Sequence, residues 1–259
     1  MKRRIAVRDA ALAGIISMLG LGACGADPDA APRRASDIQT NWAAPARLES
    51  AVFSADGVTL TGAAAPGDRI VLTDLAGVSV AATTGADGVF SLRLATAGAI
   101  SLHHAEIQSG GSQARGGDWL VITPGPDPVA AVLVPGGAAA PLSRTRLLAA
   151  VDYDGAGVLV SGAAPPGERV RVSIDDGPRQ TVTADQAGRH VARFPAIPPG
   201  PRRIRVETDD EIQDAVLNLT APSTELRAAD SGVATRIDWP TPGEGFQATW
   251  ILDSTPGED

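Results

Sequence analysis

An internal repeat constrains this chain more than any other feature of its sequence. The stretch GVTLTGAAAPGDRIVL begins at Gly57, and GVLVSGAAPPGERVRV begins at Gly157, so the copies align without a gap at an offset of 100 residues. Each copy contains a Pro-Gly pair, at residues 66–67 and 166–167. Proline fixes φ at about −65° and glycine accepts a positive φ, which is the chemistry of a type II turn. The repeat therefore predicts two modules, each built around strands joined by this turn.

Hydrophobic residues alternate with polar ones in the short segments between these turns. VFSLRL at residues 89–94 and RVRVSI at residues 169–174 both place apolar side chains at every second position. A period of two is that of a β-strand with one buried face. No segment after the N-terminal 23 residues has a sustained helical period, so the sequence predicts an all-β fold.

The two copies resemble the immunoglobulin-like repeats of bacterial surface and envelope proteins. The resemblance lies in TGAAAPGDRIVLTD with GADGVFSLRL, and in SGAAPPGERVRVSID with DQAGRHVARF. It implies two tandem immunoglobulin-like β-sandwiches, and a sandwich of the type attached to carboxypeptidases is the alternative. Because domains of this size bury a small share of their surface, we expect the copies to pack together or to share the segments outside the repeat.

The start of the chain has the pattern of an export signal. Basic residues precede an apolar run of about 14 residues from Ala10 to Ala23, which is shorter than the roughly 20 that a spanning helix needs. The run ends in LGAC, which resembles the lipobox of bacterial lipoproteins. The resemblance implies that Cys24 receives a lipid anchor after cleavage before it, and that Gly25, in place of aspartate, favours the outer membrane over the inner membrane. The alternative is a buried cysteine in an uncleaved helix.

These observations divide the chain into six segments. A helical signal peptide and a disordered tether come before an all-β part, which consists of two sandwiches, a Pro/Gly-rich connector with one strand, and a C-terminal hairpin. The expected boundaries are 1–23 for the signal peptide, 24–46 for the lipidated tether, 47–125 for the first sandwich, 126–145 for the connector, 146–222 for the second sandwich and 223–259 for the hairpin and tail.

The charge of the chain limits its partners. The formal net charge is −8, and removal of residues 1–23 takes away four positive charges and one negative charge, so the mature chain has −8 − 3 = −11. Such a chain has no general attraction for phosphate backbones, which argues against nucleic acid. The expected partners are the membrane, through the lipid, and another envelope protein or an envelope glycan.

The residues that usually perform catalysis are sparse. Cys24 is the only cysteine, and the chain has three histidines. His103 and His104 are adjacent in a predicted strand and point to opposite faces, whereas His190 takes the core position of Phe90 in the first copy and is expected to be hydrogen-bonded. We therefore predict no catalytic residue, no cofactor and no enzymatic activity. A glycosidase with paired carboxylates is the enzymatic alternative.

Three acidic clusters raise the question of calcium binding. Each supplies two or three carboxylates, whereas calcium needs six to eight converging oxygens. We interpret them as solvated turns and predict no metal site. The clusters are Asp152 with Asp154, Asp175 with Asp176, and Asp209 with Asp210 and Glu211.

Four arginines of the second copy occupy outward strand positions. If their strands are neighbours, Arg169, Arg171, Arg203 and Arg205 form a basic stripe that can meet an anionic envelope polymer. The alternative is that these charges keep the protein soluble and protect a sheet edge.

The tail ATRIDWPTPGEGFQATWIL predicts a β-hairpin. Pairing of Trp239 with Phe246 places an apolar set on one face, which we expect to cover the run VAAVLV at residues 129–134. The alternative is an exposed platform for a sugar or a protein, formed with Trp250. The predicted apolar face contains Thr235, Ile237, Trp239, Phe246, Ala248 and Trp250.

Two functions fit the sequence. The first is a non-enzymatic envelope lipoprotein that acts as a structural spacer or protein-binding module. The second is a lipoprotein that binds carbohydrate or peptidoglycan, which requires a cluster of exposed aromatic rings. The chain has nine aromatic residues in all, and a spacer is expected to bury nearly all of them.

Overall fold

The computed structural model describes residues 45–252 except 96–97, 110–111, 144–145 and 244. Cys24, the predicted signal helix and the predicted tether up to residue 44 lie outside the described residues. Within the described part the chain is all-β, as predicted, and no helix there is long and apolar enough to cross a membrane.

The first sandwich is formed by two sheets. Sheet A has the strand order β1-β2-β5, and sheet B has the order β4-β3-β6-β7-β8-β9, with every pair antiparallel. The predicted connector contributes β8 and β9 to sheet B. The strands are β1 (Arg47–Ser54), β2 (Gly57–Ala63), β3 (Arg69–Asp74), β4 (Ser79–Thr83), β5 (Val89–Leu94), β6 (Ser101–Ser109), β7 (Ser112–Thr123), β8 (Val129–Leu133) and β9 (Ala140–Pro141).

The second sandwich repeats this plan and adds the C-terminal strands. Sheet C has the order β14-β11-β10-β19-β18-β17, and sheet D has the order β13-β12-β15-β16. The strands are β10 (Ala150–Tyr153), β11 (Gly157–Ala163), β12 (Arg169–Ile174), β13 (Gln180–Thr183), β14 (Arg189–Pro195), β15 (Gly200–Glu207), β16 (Ile212–Leu219), β17 (Arg227–Asp230), β18 (Ala234–Thr241) and β19 (Gly245–Leu252).

The Pro-Gly pairs form the turns that the repeat predicts. The amide of Asp68 donates to the carbonyl of Ala65 at 3.1 Å, and the amide of Glu168 donates to that of Pro165 at 3.0 Å. Gly67 has a φ of 83° and Gly167 a φ of 82°. A positive φ at the second central position, with proline at the first, is the geometry of a type II turn.

The four sheets stack in the order A, B, C, D, and apolar clusters fill the space between neighbouring sheets. Leu120 and Ile122 of β7 face sheet A, whereas Trp119 and Val121 of the same strand face sheet C. The cluster between sheets B and C joins the two sandwiches, and we call it the central cluster. The copies therefore pack together, as expected. The central cluster contains Leu102, Trp119, Val121, Val129, Ala131, Leu133, Ala139, Ala150, Ile237, Trp239 and Ile251.

The C-terminal hairpin lies where the sequence predicts, but with a different register. It packs on the run at residues 129–134 through the central cluster, as predicted. The predicted pairing of Trp239 with Phe246 is wrong, because Trp239 pairs with Gln247 and Pro240 pairs with Phe246. Trp239 and Trp250 therefore lie on opposite faces of the hairpin. The prediction assumed one solvated face, whereas Trp239 faces sheet B and Trp250 faces the core of the second sandwich.

Candidate binding surfaces

The four predicted arginines share the outer face of sheet D. In the pairing of β12 with β15, Arg171 lies opposite Glu207 and Arg205 lies opposite Ser173. Glu207 is 8% exposed and accepts hydrogen bonds from Arg171 Nε at 3.0 Å, Arg179 Nη1 at 2.9 Å and Arg205 Nε at 3.3 Å. The hydrogen bond from Arg171, with that from Arg205, holds the pKa of Glu207 below its usual range despite the desolvation.

Further carboxylates neutralise this face. Arg171 Nη1 lies 2.9 Å from Asp209, and Arg205 Nη1 lies 3.3 Å from Asp214. Arg169 and Arg203 are exposed, and neither has a carboxylate partner within the described part of the chain. The structure thus places the four arginines on one face. Arg171 and Arg205 belong to an ion-pair network, and Arg169 and Arg203 lie outside it. The strand register places Glu207 in this network. The spacing of the arginines in the sequence does not predict these ion pairs.

Both predicted tryptophans are inside the protein. Trp239 is 0% exposed and Trp250 is 1% exposed. The indole N–H of Trp239 donates to Thr249 Oγ1 at 3.0 Å, and the guanidinium of Arg236 lies 4.8 Å from the ring centroid of Trp250. In this structure the two rings do not form an exposed platform. Among residues 45–252 that the structure describes, every other aromatic ring is also buried or half-buried.

Each of the three histidines contacts other residues of the fold. His190 is 2% exposed, and its Nε2–H donates to the carbonyl of Leu147 at 2.7 Å, as its core position predicts. Burial lowers the pKa of His190 and also that of His103, whose Nε2 lies 3.0 Å from Ser101 Oγ. His104 stacks on Trp119. Within the described residues, no group of three or more histidine, cysteine or acidic side chains is arranged to hold a metal ion.

Asp152 is the polar residue that sequence reasoning missed. Its interpretation as part of a solvated turn is wrong, because Asp152 lies within β10 and is 2% exposed. Its Oδ2 accepts from the amide of Ala139 at 2.8 Å, and its Oδ1 accepts from Thr249 Oγ1 at 2.6 Å and from Gln247 Nε2 at 3.0 Å. The carboxylate thus joins the connector, the second sandwich and the hairpin at one point.

The surroundings of Asp152 hold the connector in place. Ser161 Oγ donates to the carbonyl of Ala139 at 2.9 Å, and the amide of Gly136 donates to Gln247 Oε1 at 3.2 Å. A crevice of about 370 Å³ opens beside this network, lined in part by Asp152, Gln247 and Arg193. Because protein donors engage both oxygens of Asp152, this arrangement fastens the connector to the second sandwich and to the hairpin.

Burial gives Asp152 a pH-dependent effect on stability. Desolvation raises its pKa from 3.8 to about 6, against the hydrogen bonds that it accepts. Between pH 3.8 and about 6, the Asp152 carboxyl is protonated in the folded chain and ionised in the unfolded chain. The contribution of Asp152 to the free energy of unfolding therefore falls as the pH rises from about 4 to about 6. We expect wild type to lose on the order of 3 kcal/mol relative to Asp152→Asn across this window.

Urea denaturation of both proteins at a series of pH values measures this difference. Two stability curves that run parallel from pH 4 to pH 7 would show that Asp152 has the same proton affinity in the folded and unfolded chains.

Comparison with known proteins identifies a family for part of the chain. Residues 44–109, about a quarter of the sequence, match the family described as Bacterial Ig domain. The matched segment covers most of the first sandwich. This segment of the first sandwich is thus similar to bacterial immunoglobulin-like domains. No curated protein matches the chain.

Several solved structures resemble the chain at low identity. A two-domain fibronectin type III segment of chicken tenascin is 17% identical, with 68% of this chain and 99% of that chain covered and a TM-score of 0.22. The BSP domain of a biofilm associated protein is 16% identical, with 69% and 30% covered and a TM-score of 0.23. A Ca²⁺-stabilized adhesin that helps an Antarctic bacterium to bind ice is 15% identical, with 67% and 47% covered and a TM-score of 0.23.

Proposed function

We propose that this chain is a cell-envelope lipoprotein, anchored through Cys24, whose stacked sandwiches act without catalysis as a rigid spacer and protein-binding module. The observation that carries the proposal is the central cluster. It includes side chains from β7 and β8 on one side and from β10, β18 and β19 on the other. A core shared in this way resists hinge motion between the two sandwiches, because any rotation would expose its apolar side chains.

The connector supports the same conclusion. A flexible linker between domains has few contacts, whereas Ala139 bonds through both its amide and its carbonyl to the second sandwich. The two sandwiches are thus tied by polar bonds as well as by the central cluster. A rigid body of this kind keeps its two ends at a fixed distance, which is the property that a spacer needs.

The aromatic residues favour this function over carbohydrate binding. A sugar-binding platform presents ring faces to solvent, whereas every aromatic ring in the described part of the chain is buried or half-buried. The match of residues 44–109 to a bacterial Ig domain also supports a structural or binding module. For localisation, we propose the outer membrane on the basis of Gly25.

Labelling with palmitate tests the anchor. The Cys24→Ser variant, expressed in a Gram-negative host, is expected to incorporate no label and to accumulate as an uncleaved or mislocalised precursor, because serine offers no thiolate for alkylation. Gly25→Ala, which alters the neighbouring residue and keeps the thiol, is the control and is expected to label like wild type. Normal labelling of Cys24→Ser would show that the protein is not a lipoprotein anchored through Cys24.

Calorimetry tests the rigid body. Because the sandwiches share a core, we expect one cooperative unfolding transition for the full chain, with equal calorimetric and van't Hoff enthalpies. Two well-separated transitions in wild type would mean that the sandwiches unfold as independent units. The two sandwiches would then not form one rigid spacer.

A further inference from the structure

Sheet D ends at a strand whose outer edge is open. β16 pairs with β15 over its full length of 8 residues and without a bulge. Among the described residues, none forms a backbone hydrogen bond with the other edge of β16. A regular edge of this length presents a row of unpaired N–H and C=O groups, which is a template for the addition of another strand.

The first sandwich shows how the equivalent edge is used. The strand that corresponds to β16 is β7, and its outer edge pairs antiparallel with β8, from Trp119 opposite Leu133 to Thr123 opposite Val129. The connector then closes the sandwich, since the amide of Ala51 donates to the carbonyl of Leu142 at 3.2 Å. In the second sandwich the chain leaves β16 for sheet C instead, so the position of β8 has no described counterpart.

Sheet C continues past this edge and forms a ledge. Arg236 of β18 bonds to Thr220 and, at 2.9 Å, to the carbonyl of Ala221, both of which directly follow β16. Arg236 and Arg227 share a single buried partner, Asp238, at 2.7 Å and 2.6 Å. The side chain of Arg227 remains 54% exposed. With Asp230 of β17, the two strands of the ledge carry two arginines and two aspartates, so the ledge has no net charge.

The outer face of β16 has two exposed apolar residues and one acidic residue, Asp214, which forms an ion pair with Arg205. Ile212 and Val216 of β16 are each 56% exposed, and Arg203, also exposed, lies directly opposite Val216. A strand added to β16 would cover parts of both apolar side chains. Its outward side chains next to Val216 would lie within reach of Arg203, which favours an acidic residue at that position.

The ledge also limits what can bind. Antiparallel pairing of β16 with β16 of a second copy has a twofold axis perpendicular to the sheet. This operation would bring the second copy's sheet C into the space that β17 and β18 occupy. The edge therefore has room for a single extended segment and excludes a symmetric dimer of this kind.

We propose that the outer edge of β16 binds an extended, acidic segment of a partner protein as an added antiparallel strand. Backbone hydrogen bonds supply the affinity, as in other cases of β-strand addition. Arg203, which is exposed and has no carboxylate partner within the described part of the chain, selects for negative charge. The inference deepens the proposed function by naming the surface and the chemistry of the partner.

A model peptide tests this inference. The probe is a fluorescein-labelled peptide of alternating glutamate and valine, titrated with the full lipidated chain in detergent and followed by fluorescence anisotropy. We expect saturable binding of this peptide and none of the lysine–valine counterpart. A glutamate–valine peptide with a central proline is expected not to bind, because proline removes a backbone donor and breaks the ladder.

A matched pair of variants locates the site. Val216→Glu is expected to weaken binding by about tenfold, since like charges then face each other across the added strand. Val52→Glu, at a 65% exposed valine of β1 on sheet A, makes the same change in net charge and is expected to leave the affinity unchanged. Both positions are exposed, so both variants are expected to fold.

Three results would overturn the inference: no binding of the glutamate–valine peptide, equal binding of the proline peptide, or equal losses in the two variants. None of them affects palmitate labelling or the number of unfolding transitions. Failure of strand addition is therefore distinguishable from failure of the proposed function.

Discussion

Trp239→Ala is expected to lower the free energy of unfolding by about 3–5 kcal/mol. Trp239 is 0% exposed and lies in the central cluster, among side chains of both sandwiches. Removal of the indole leaves a large cavity between sheets B and C and also removes the donor to Thr249. Because the cavity lies where the sandwiches join, we expect the single unfolding transition to broaden or to split in two.

Trp250→Ala is the matched control for this prediction. Trp250 is 1% exposed and packs in the core of the second sandwich, on the opposite face of the same hairpin. We expect a similar loss of stability from this change, but with the contact between the sandwiches kept. Denaturant unfolding gives the size of both losses and calorimetry gives the number of transitions. A loss under about 1 kcal/mol for Trp239→Ala would show that the central cluster does not couple the sandwiches.

Gly162→Ala is expected to cost about 3 kcal/mol or more, although it adds one methyl group. A Cβ at Gly162 would overlap the carbonyl oxygen of Leu147 and would lie 2.8 Å from that of Arg146. The obstacle is backbone, and it is held in place because Ala163 donates to Arg146 at 2.7 Å and Ala149 donates to Ser161 at 2.9 Å. Either β11 or the segment before β10, which carries both carbonyls, must therefore move to accept the methyl group.

Gly167→Ala separates this steric effect from the conformational freedom of glycine. Gly167 has open space around it but a φ of 82°, so alanine there is strained only in its backbone and is expected to cost about 1 kcal/mol. Thermal and urea denaturation of the two variants measure the difference. If Gly162→Ala costs no more than Gly167→Ala, close approach of the backbone is not the reason for glycine in the repeat.

The sequence predicts strands well where they have one solvated face. In β5, Phe90, Leu92 and Leu94 are buried and Val89, Ser91 and Arg93 are exposed, as the alternation indicates. The same criterion fails for the C-terminal hairpin, which is buried on both faces. Its polar side chains, such as Thr249 and Asp238, are satisfied by hydrogen bonds inside the protein, and no pattern of polarity distinguishes them from solvated residues.

The repeat itself contains a second example. Asp152 occupies the position of Val52 in the other copy, at the offset of 100 residues. The valine is 65% exposed and the aspartate is 2% exposed, the reverse of what their polarities predict. The connector and the hairpin cover this face in one copy only, and both segments lie outside the repeat. Burial at this position was therefore not predictable from the repeat, because it depends on which unrelated segment covers the strand.

The stacking of four sheets also fixes a length. The segments that join sheet B to sheet C, namely the connector and the hairpin, occur once and are not part of the repeated unit. Further copies of the module would have no such segments between them, so duplication could not extend the stack as it extends a solenoid. With packed sheets about 10 Å apart, the distance from sheet A to sheet D is roughly 30 Å. The thickness of the stack is therefore set by these four sheets.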